Sequence, residues 1–179
     1  MANVIKLRKG LDINLKGKAA EELSTVKEPG FYALVPDDFP GVTPKVVVKE
    51  QEYVMAGGPL FIDKNHPEVK FVSPVSGVVT SVERGARRKV LNIVVEAAEQ
   101  DYEEFGKKDV SKLDGEAVKA ALLEAGMFAF MRQRPYDVIA DPTVAPRAIF
   151  ISAFDSNPLA PDFEFALKGE EANFQTGLD

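Results

Sequence analysis

The segment GVVTSVERGARRKVLNIVVE, Gly77 to Glu96, constrains the fold more than any other stretch of the chain. GVVTSVE and KVLNIVVE are rich in β-branched residues and flank the turn RGAR (Arg84–Arg87), which together make a hairpin signal. Strand alternation in KVLNIVVE puts Leu91, Ile93 and Val95 on one face and Asn92 on the other. Upstream, PKVVVKE (Pro44–Glu50) and YVMAGGPLFI (Tyr53–Ile62) are short apolar runs punctuated by Gly-Gly-Pro. FVSPVSGVV reads as a strand broken at Gly77. Many short strands closed by Gly and Pro turns predict a small sandwich or barrel up to about residue 100. VKEQEYVMAGGPLF and SPVSGVVTSV read as its two halves.

The grammar changes after that. AAEQDYEEFGKK (97–108) is charged and aperiodic, as in a linker or solvated connection. SKLDGEAVKAALLEAGMFAFM then predicts a helix, with Asp114 as N-cap, Val118, Leu122 and Ala125 at helical spacing, and Gly126 as C-terminal cap. RAIFISAF (Arg147–Phe154) is continuously apolar, as in a buried strand of a parallel sheet. It runs through a Pro-broken loop into FEFAL, a second helix candidate. Strand, loop and helix in that order predict the start of an α/β domain over 101–179. EEANFQTGLD is helix-compatible and carries no stop signal, so the sequence reads as a fragment of a longer protein.

Composition removes several function classes. Without cysteine the 179 residues hold no disulfide, no thiolate zinc site and no Cys-ligated iron–sulfur cluster. The single histidine, His66, cannot build a multi-histidine metal centre. No apolar run approaches the roughly 18 residues of a membrane span, and MANVIKLRKG lacks a signal-peptide core, so a soluble, cytoplasmic chain is expected. Residues 1–95 carry 14 Lys/Arg against 11 Asp/Glu, while 96–179 carry 8 against 17. An acidic second half argues against a nucleic-acid partner.

Chemistry-bearing residues are few. Lys64 invites comparison with swinging-arm carriers, which hold lipoate or biotin on a lysine at a tight hairpin tip. The modifying ligase also reads small or methionine neighbours there. The tip here is Asp63-Lys64-Asn65-His66-Pro67. Asp-Lys matches the lipoyl pattern, but Asn-His-Pro does not, and the stretch from Lys64 to Ser73-Pro74 is long, so covalent attachment at Lys64 is rejected in favour of an exposed turn lysine. His66, before a proline, belongs to an extended loop. RGARRK (Arg84–Lys89) sets four cations at a hairpin tip, which suits an anionic surface or simply a solvated turn. Arg132 and Arg134 follow the helix beside Tyr136; the arginines complement its dipole, or hold a phosphate or a quinone carbonyl. Phe128, Phe130 and Met131 read as core. Asp155 and Asp162 follow the apolar run, where α/β sheets bind ligands, and fit helix capping equally well. Neither GxGxxG nor GxxxxGK[ST] occurs.

Taken in order, IKLRKGLDINLKGKA, PDDFPGVTPKVVVKE, PLFIDKN, FVSPVSGVV, ERGARRKVLNIVVE and RPYDVIADPTVAPRAIFISAFDSNPLAPD resemble the A subunits of the bacterial sodium-translocating NADH:quinone reductases. The resemblance covers nearly the whole chain. A more distant one links it to the C subunits of Rnf-type complexes and to the NADH-binding subunit of respiratory complex I. It implies a barrel-sandwich hybrid of carrier type, unmodified, including N-terminal strands over 1–100, followed by the beginning of a Rossmann-like α/β domain. In that family the Asp-Lys pair is not a modification site. The Gly-rich loop of the complex I relative is replaced here by AFMRQRPYD, so no bound flavin is expected. Gln51-Glu52 stands where Gly-Asp is common, which predicts a differently built turn.

By the same resemblance, the chain is expected to be a peripheral subunit on the cytoplasmic side of the bacterial inner membrane. Its partners would be the other subunits of a translocase, chiefly the membrane-embedded ones. That complex couples NADH oxidation and ubiquinone reduction to sodium export, with its flavins and iron–sulfur cluster in other subunits. The segment itself would serve docking and scaffolding near the quinone-reducing end. The alternatives are a carrier modified on Lys64, or a quinone- or nucleotide-binding segment using Arg132, Arg134, Tyr136 or Asp155.

Overall fold

The hairpin expected from Gly77–Glu96 forms and organises its surroundings. In the computed structural model, which describes residues 16–17, 20–109, 112–155, 157 and 159–178, Gly77–Arg84 pairs antiparallel with Val90–Ala97. The strands in chain order are β1 (Phe31–Leu34), β2 (Pro44–Val46), β3 (Tyr53–Val54), β4 (Pro59–Asp63), β5 (Lys70–Val72), β6 (Gly77–Arg84) and β7 (Val90–Ala97). One sheet runs β1-β7-β6-β3 and another runs β2-β4-β5, all neighbours antiparallel. Of the N-terminal strands that the resemblance implies, whatever falls in residues 1–15 and 18–19 lies outside the described residues.

Leu60, Phe61, Val69, Phe71, Val79, Ile93 and Val95, each at most 1% exposed, make the core between the sheets. A β-bulge between Pro59 and Phe61 lets both Leu60 and Phe61 point inward, against strict alternation. Phe71 stacks on Phe61 with centroids 4.4 Å apart, and Phe39 meets Phe71 edge-on at 4.6 Å. A second bulge breaks the expected face of β7. Glu83 pairs with Asn92 and Arg84 with Val90, so Leu91 falls out of the ladder and turns to solvent while Val90 is buried. The alternation reading of Leu91 is therefore corrected.

The charged stretch after β7 is solvated but pinned. Ser76, fully buried, donates its hydroxyl to the Glu99 carbonyl (2.8 Å) and accepts from the Asp101 N–H (2.8 Å). The Ala56 N–H donates to the Asp101 carbonyl, and the Glu103 N–H donates to the Ala56 carbonyl, both at 2.9 Å. Ser76→Ala should cost about 1–3 kcal/mol, because it strands a part-buried N–H and a carbonyl. Urea denaturation measures that loss, and amide exchange at Asp101 should accelerate with it.

The turn before β3, expected to be built differently from a Gly-Asp turn, holds Gln51 in a left-handed backbone of the kind glycine adopts. Gln51 takes φ 67°, while its N–H donates to the Val79 carbonyl (2.7 Å) and the Glu52 carbonyl accepts from the Val79 N–H (2.9 Å). A left-handed backbone is strained for any residue with a Cβ, so Gln51→Gly should raise stability by up to about 1 kcal/mol, read as a higher Tm.

Beyond the sandwich, α1 (Gly115–Glu124) is capped as predicted: the Asp114 carboxylate accepts from the Ala117 N–H at 2.8 Å. Gly126, at φ 71°, ends it and lets a 3-10 turn (Met127–Phe130) settle against β5. A Cβ on Gly126 would stand 2.5 Å from the Val72 side chain, so only glycine permits this approach. Phe128 is buried in the sandwich core, but Phe130 is 71% exposed, which corrects its assignment to the core. A short hairpin follows, β8 (Arg132–Gln133) with β9 (Val138–Ile139). It packs on the turn after Phe39, where the Ile139 N–H donates to the Pro40 carbonyl (2.9 Å).

Residues 27–145 form one compact unit, and the described parts of 1–26 and 146–179 form another. In the latter, Arg147–Phe154 is not a buried strand. It joins no sheet, and Ile149, Phe150, Ile151 and Phe154 are 61–92% exposed. An apolar run becomes a central strand only when partner strands satisfy its backbone, and none of the described residues pairs with it. The two helices of this unit do form: α2 (Phe163–Ala166) and α3 (Glu171–Leu178).

Candidate functional site

The β4–β5 turn is built on Asp63. Its buried carboxylate accepts from the Thr43 N–H at 3.2 Å and the Asn65 N–H at 3.1 Å. That fixes the turn locally, as Asx motifs do, and ties it to the chain entering β2. The Lys64 N–H donates to the Thr43 carbonyl (2.8 Å), while the Lys64 side chain is exposed. The acid of the Asp-Lys pair is thus a backbone clamp. Further along, His66 Nδ1 lies 3.9 Å from an Asp141 carboxylate oxygen and 4.0 Å from one of Glu68. The loop that begins at Lys64 therefore reaches the segment just after β9. Asp141 is held below the usual carboxylate range, first by the Thr143 hydroxyl and then by the Thr143 N–H.

Arg132, Arg134 and Tyr136 come together on the β8–β9 hairpin, around a residue that sequence reasoning passed over. Asp137 takes φ 55° at the turn, and its carboxylate receives a hydrogen bond from Arg132 (2.9 Å) and faces Arg134 at 3.8 Å. Tyr136 is 85% exposed. An acid five residues after one arginine and three after another is ordinary in a turn, so nothing in the local pattern singled it out. Both pairs are open to solvent, so Asp137→Asn should change stability by less than about 1 kcal/mol in thermal melts while freeing both guanidinium groups.

The remaining candidates are local. The Asp155 carboxylate accepts from the Asn157 N–H (2.9 Å) within its own loop. Asp162 caps α2, accepting from the Glu164 and Phe165 N–H groups. In the β6–β7 tip, Lys89 pairs with Asp37 at 2.5 Å. Among the described residues, no cluster of three or more His, Cys, Asp or Glu is placed to hold a metal ion. Likewise, no helix among them is long and apolar enough to cross a membrane.

Comparison with known proteins bears on this geometry. Residues 5–98 match the family model of the NqrA N-terminal barrel-sandwich hybrid domain, and residues 113–179 match that of the NqrA second alpha/beta domain. Both halves of the expected fold class, a barrel-sandwich hybrid and then an α/β domain, agree with these matches. Curated relatives include proteins named as the A subunits of Na(+)-translocating NADH-quinone reductases. One from Vibrio vulnificus is 35% identical over 179 residues, and one from Yersinia pseudotuberculosis is 33% identical over 178. Another, from Pseudomonas aeruginosa, is 31% identical over 178 residues. Each alignment covers 98% of this chain, and the chain spans 40% of the length of each of these relatives.

Proposed function

Because the chain belongs to the NqrA family, matched in both of its first two domains, we propose that it is a docking and scaffold part of a Na(+)-translocating NADH-quinone reductase. One observation carries the structural side of this reading: the sandwich and the elements after it interlock. β9 bonds to the Pro40 carbonyl, Phe128 joins the sandwich core, and the loop begun by Lys64 rests near Asp141. A carrier arm needs an open sweep around its tip, whereas an assembly block needs rigidity. We place the boundary between the two domains near residue 100, in line with the ends of the two family matches.

In this reading the chain sits peripherally on the cytoplasmic face of the inner membrane, bound to membrane-embedded subunits at the quinone-reducing end. Flavins and iron–sulfur chemistry belong to other subunits, and sodium export is a property of the whole complex. Arg132, Arg134 and Tyr136, gathered on one exposed hairpin, are its own best candidates for a quinone carbonyl or an anion. Labelling by a photoreactive quinone analogue confined to other regions of the complex would remove them.

Affinity purification of the full-length protein from native membranes tests the main proposal. Flavin-bearing membrane subunits and NADH:quinone reductase activity should come with it. Isolation of the protein alone, or an intact mass carrying a lipoyl or biotinyl increment on Lys64, would overturn it.

A further inference from the structure

The tip of the β6–β7 hairpin carries three guanidinium groups that the fold leaves unused. The side chains of Arg84, Arg87 and Arg88 make no hydrogen bond or ion pair with any described residue. The nearby acids are engaged elsewhere, Asp37 with Lys89 and Glu83 with the Asn92 amide. Arg87 and Arg88 adopt φ 55° and 62°, a left-handed backbone that costs free energy in consecutive residues with a Cβ. Strain of this kind persists where surrounding structure imposes it, and it collects at ligand clamps. The bulge between Glu83 and Arg84 re-aims the strand end at this place. Beside the tip lies a groove of about 290 Å³, lined by Pro36, Val42, Pro44 and Val90, by Arg84 and Arg88, and by the Lys89–Asp37 ion pair.

We propose that this groove docks an acidic, partly apolar peptide segment of a partner protein, with side-chain carboxylates taken by Arg84 and Arg88 and an apolar residue seated between Pro44 and Val90. It deepens the docking reading by giving it a surface, and rests on that reading for the existence of a partner. Guanidinium groups bind carboxylates through paired, planar hydrogen bonds, and both arginines here are free to do so. An anionic membrane fits less well. Clusters that hold a lipid surface run to about 4–8 basic residues, whereas here only two unpaired arginines, Arg84 and Arg88, line the groove, beside the Lys89–Asp37 pair. A lipid surface is also flat, and the site is a walled groove.

Fluorescence anisotropy with the purified chain is the test, using a short labelled peptide of glutamate, leucine and proline. Micromolar binding that weakens with salt is expected. Polyglutamate should bind at least about tenfold more weakly than the mixed peptide, because it gives the apolar walls nothing to bury. The double reversal R84E/R88E should weaken binding by about a hundredfold, each reversed contact contributing about a factor of ten. Arg88→Gly separates folding from recognition: glycine accepts φ 62° freely, so Tm should hold or rise while affinity falls. Affinity unchanged in Arg88→Gly or in R84E/R88E, equal binding of polyglutamate, or binding to phosphatidylglycerol vesicles but not to the peptide would overturn the proposal. Co-purification separates the two levels. If the wild-type chain brings down reductase subunits and R84E/R88E brings down as many, the groove is refuted and the assembly reading stands. If the wild type brings down none while the peptide binds as described, the assembly reading fails and the groove stands.

Discussion

Gly77→Ala is expected to destabilise the chain by about 3–5 kcal/mol, at the upper end of what one substitution does. Gly77 opens β6, where it pairs with Val54 on one side and Ala97 on the other. A Cβ there would stand 1.9 Å from the Glu96 carbonyl oxygen and 3.1 Å from the Ala97 Cα. These are backbone atoms of the central strand, so no rotamer change relieves the clash, and β7 or β6 must move. The residue before it, Ser76, holds the chain after β7 by two hydrogen bonds, and that contact should fail along with the strand start. For a domain whose whole stability is about 5–15 kcal/mol, the loss should lower Tm by about 10 °C or more. Calorimetry of the purified variant checks this. A change under about 1 kcal/mol would mean that β6 does not begin where it is placed.

Phe71→Ala should cost a comparable amount, about 3–5 kcal/mol, for a different reason. Phe71 is 1% exposed and touches two other rings, Phe61 face to face and Phe39 edge-on, so truncation leaves a cavity with aromatic walls. The matched comparison is Phe130→Ala. That ring is 71% exposed, and its loss should register within about 0.5 kcal/mol. If the two variants melt alike, the core is misassigned. Phe71→Ala should also loosen the seat of the 3-10 turn on β5, because Val72 next to it faces Gly126. Amide exchange over Met127–Phe130 should therefore quicken in this variant and not in Phe130→Ala.

Local chemistry was legible wherever a residue acts on its own neighbours. Asp114 and Asp162 cap helices because a carboxylate reaches backbone N–H groups two or three residues on, and sequence spacing shows that directly. The backbone strain at Gln51 falls where the resemblance places a glycine. What failed depended on distant partners. Alternation put Leu91 on one face with Ile93 and Val95, and a bulge paired across the hairpin turned it away from them. The apolar run Ile149–Phe154 looked like a buried strand, because hydrophobicity says that a segment prefers burial but not whether partners are present to supply it. Asp137 escaped notice because an acid near two arginines means little until a turn folds them together.

The sequence by itself settled that the first half is a β-rich body of short strands and that a helix capped by Asp114 and Gly126 follows. Side-chain periodicity and turn chemistry act over a few residues, and those are in plain view. Only the tertiary structure decided that Asp63 clamps the turn before Lys64, that Phe128 is buried where Phe130 is not, and that Arg84 and Arg88 rim a groove without partners of their own. Each of these depends on which atoms arrive from far along the chain, and the packing that brings them there belongs to the whole fold and to no single segment.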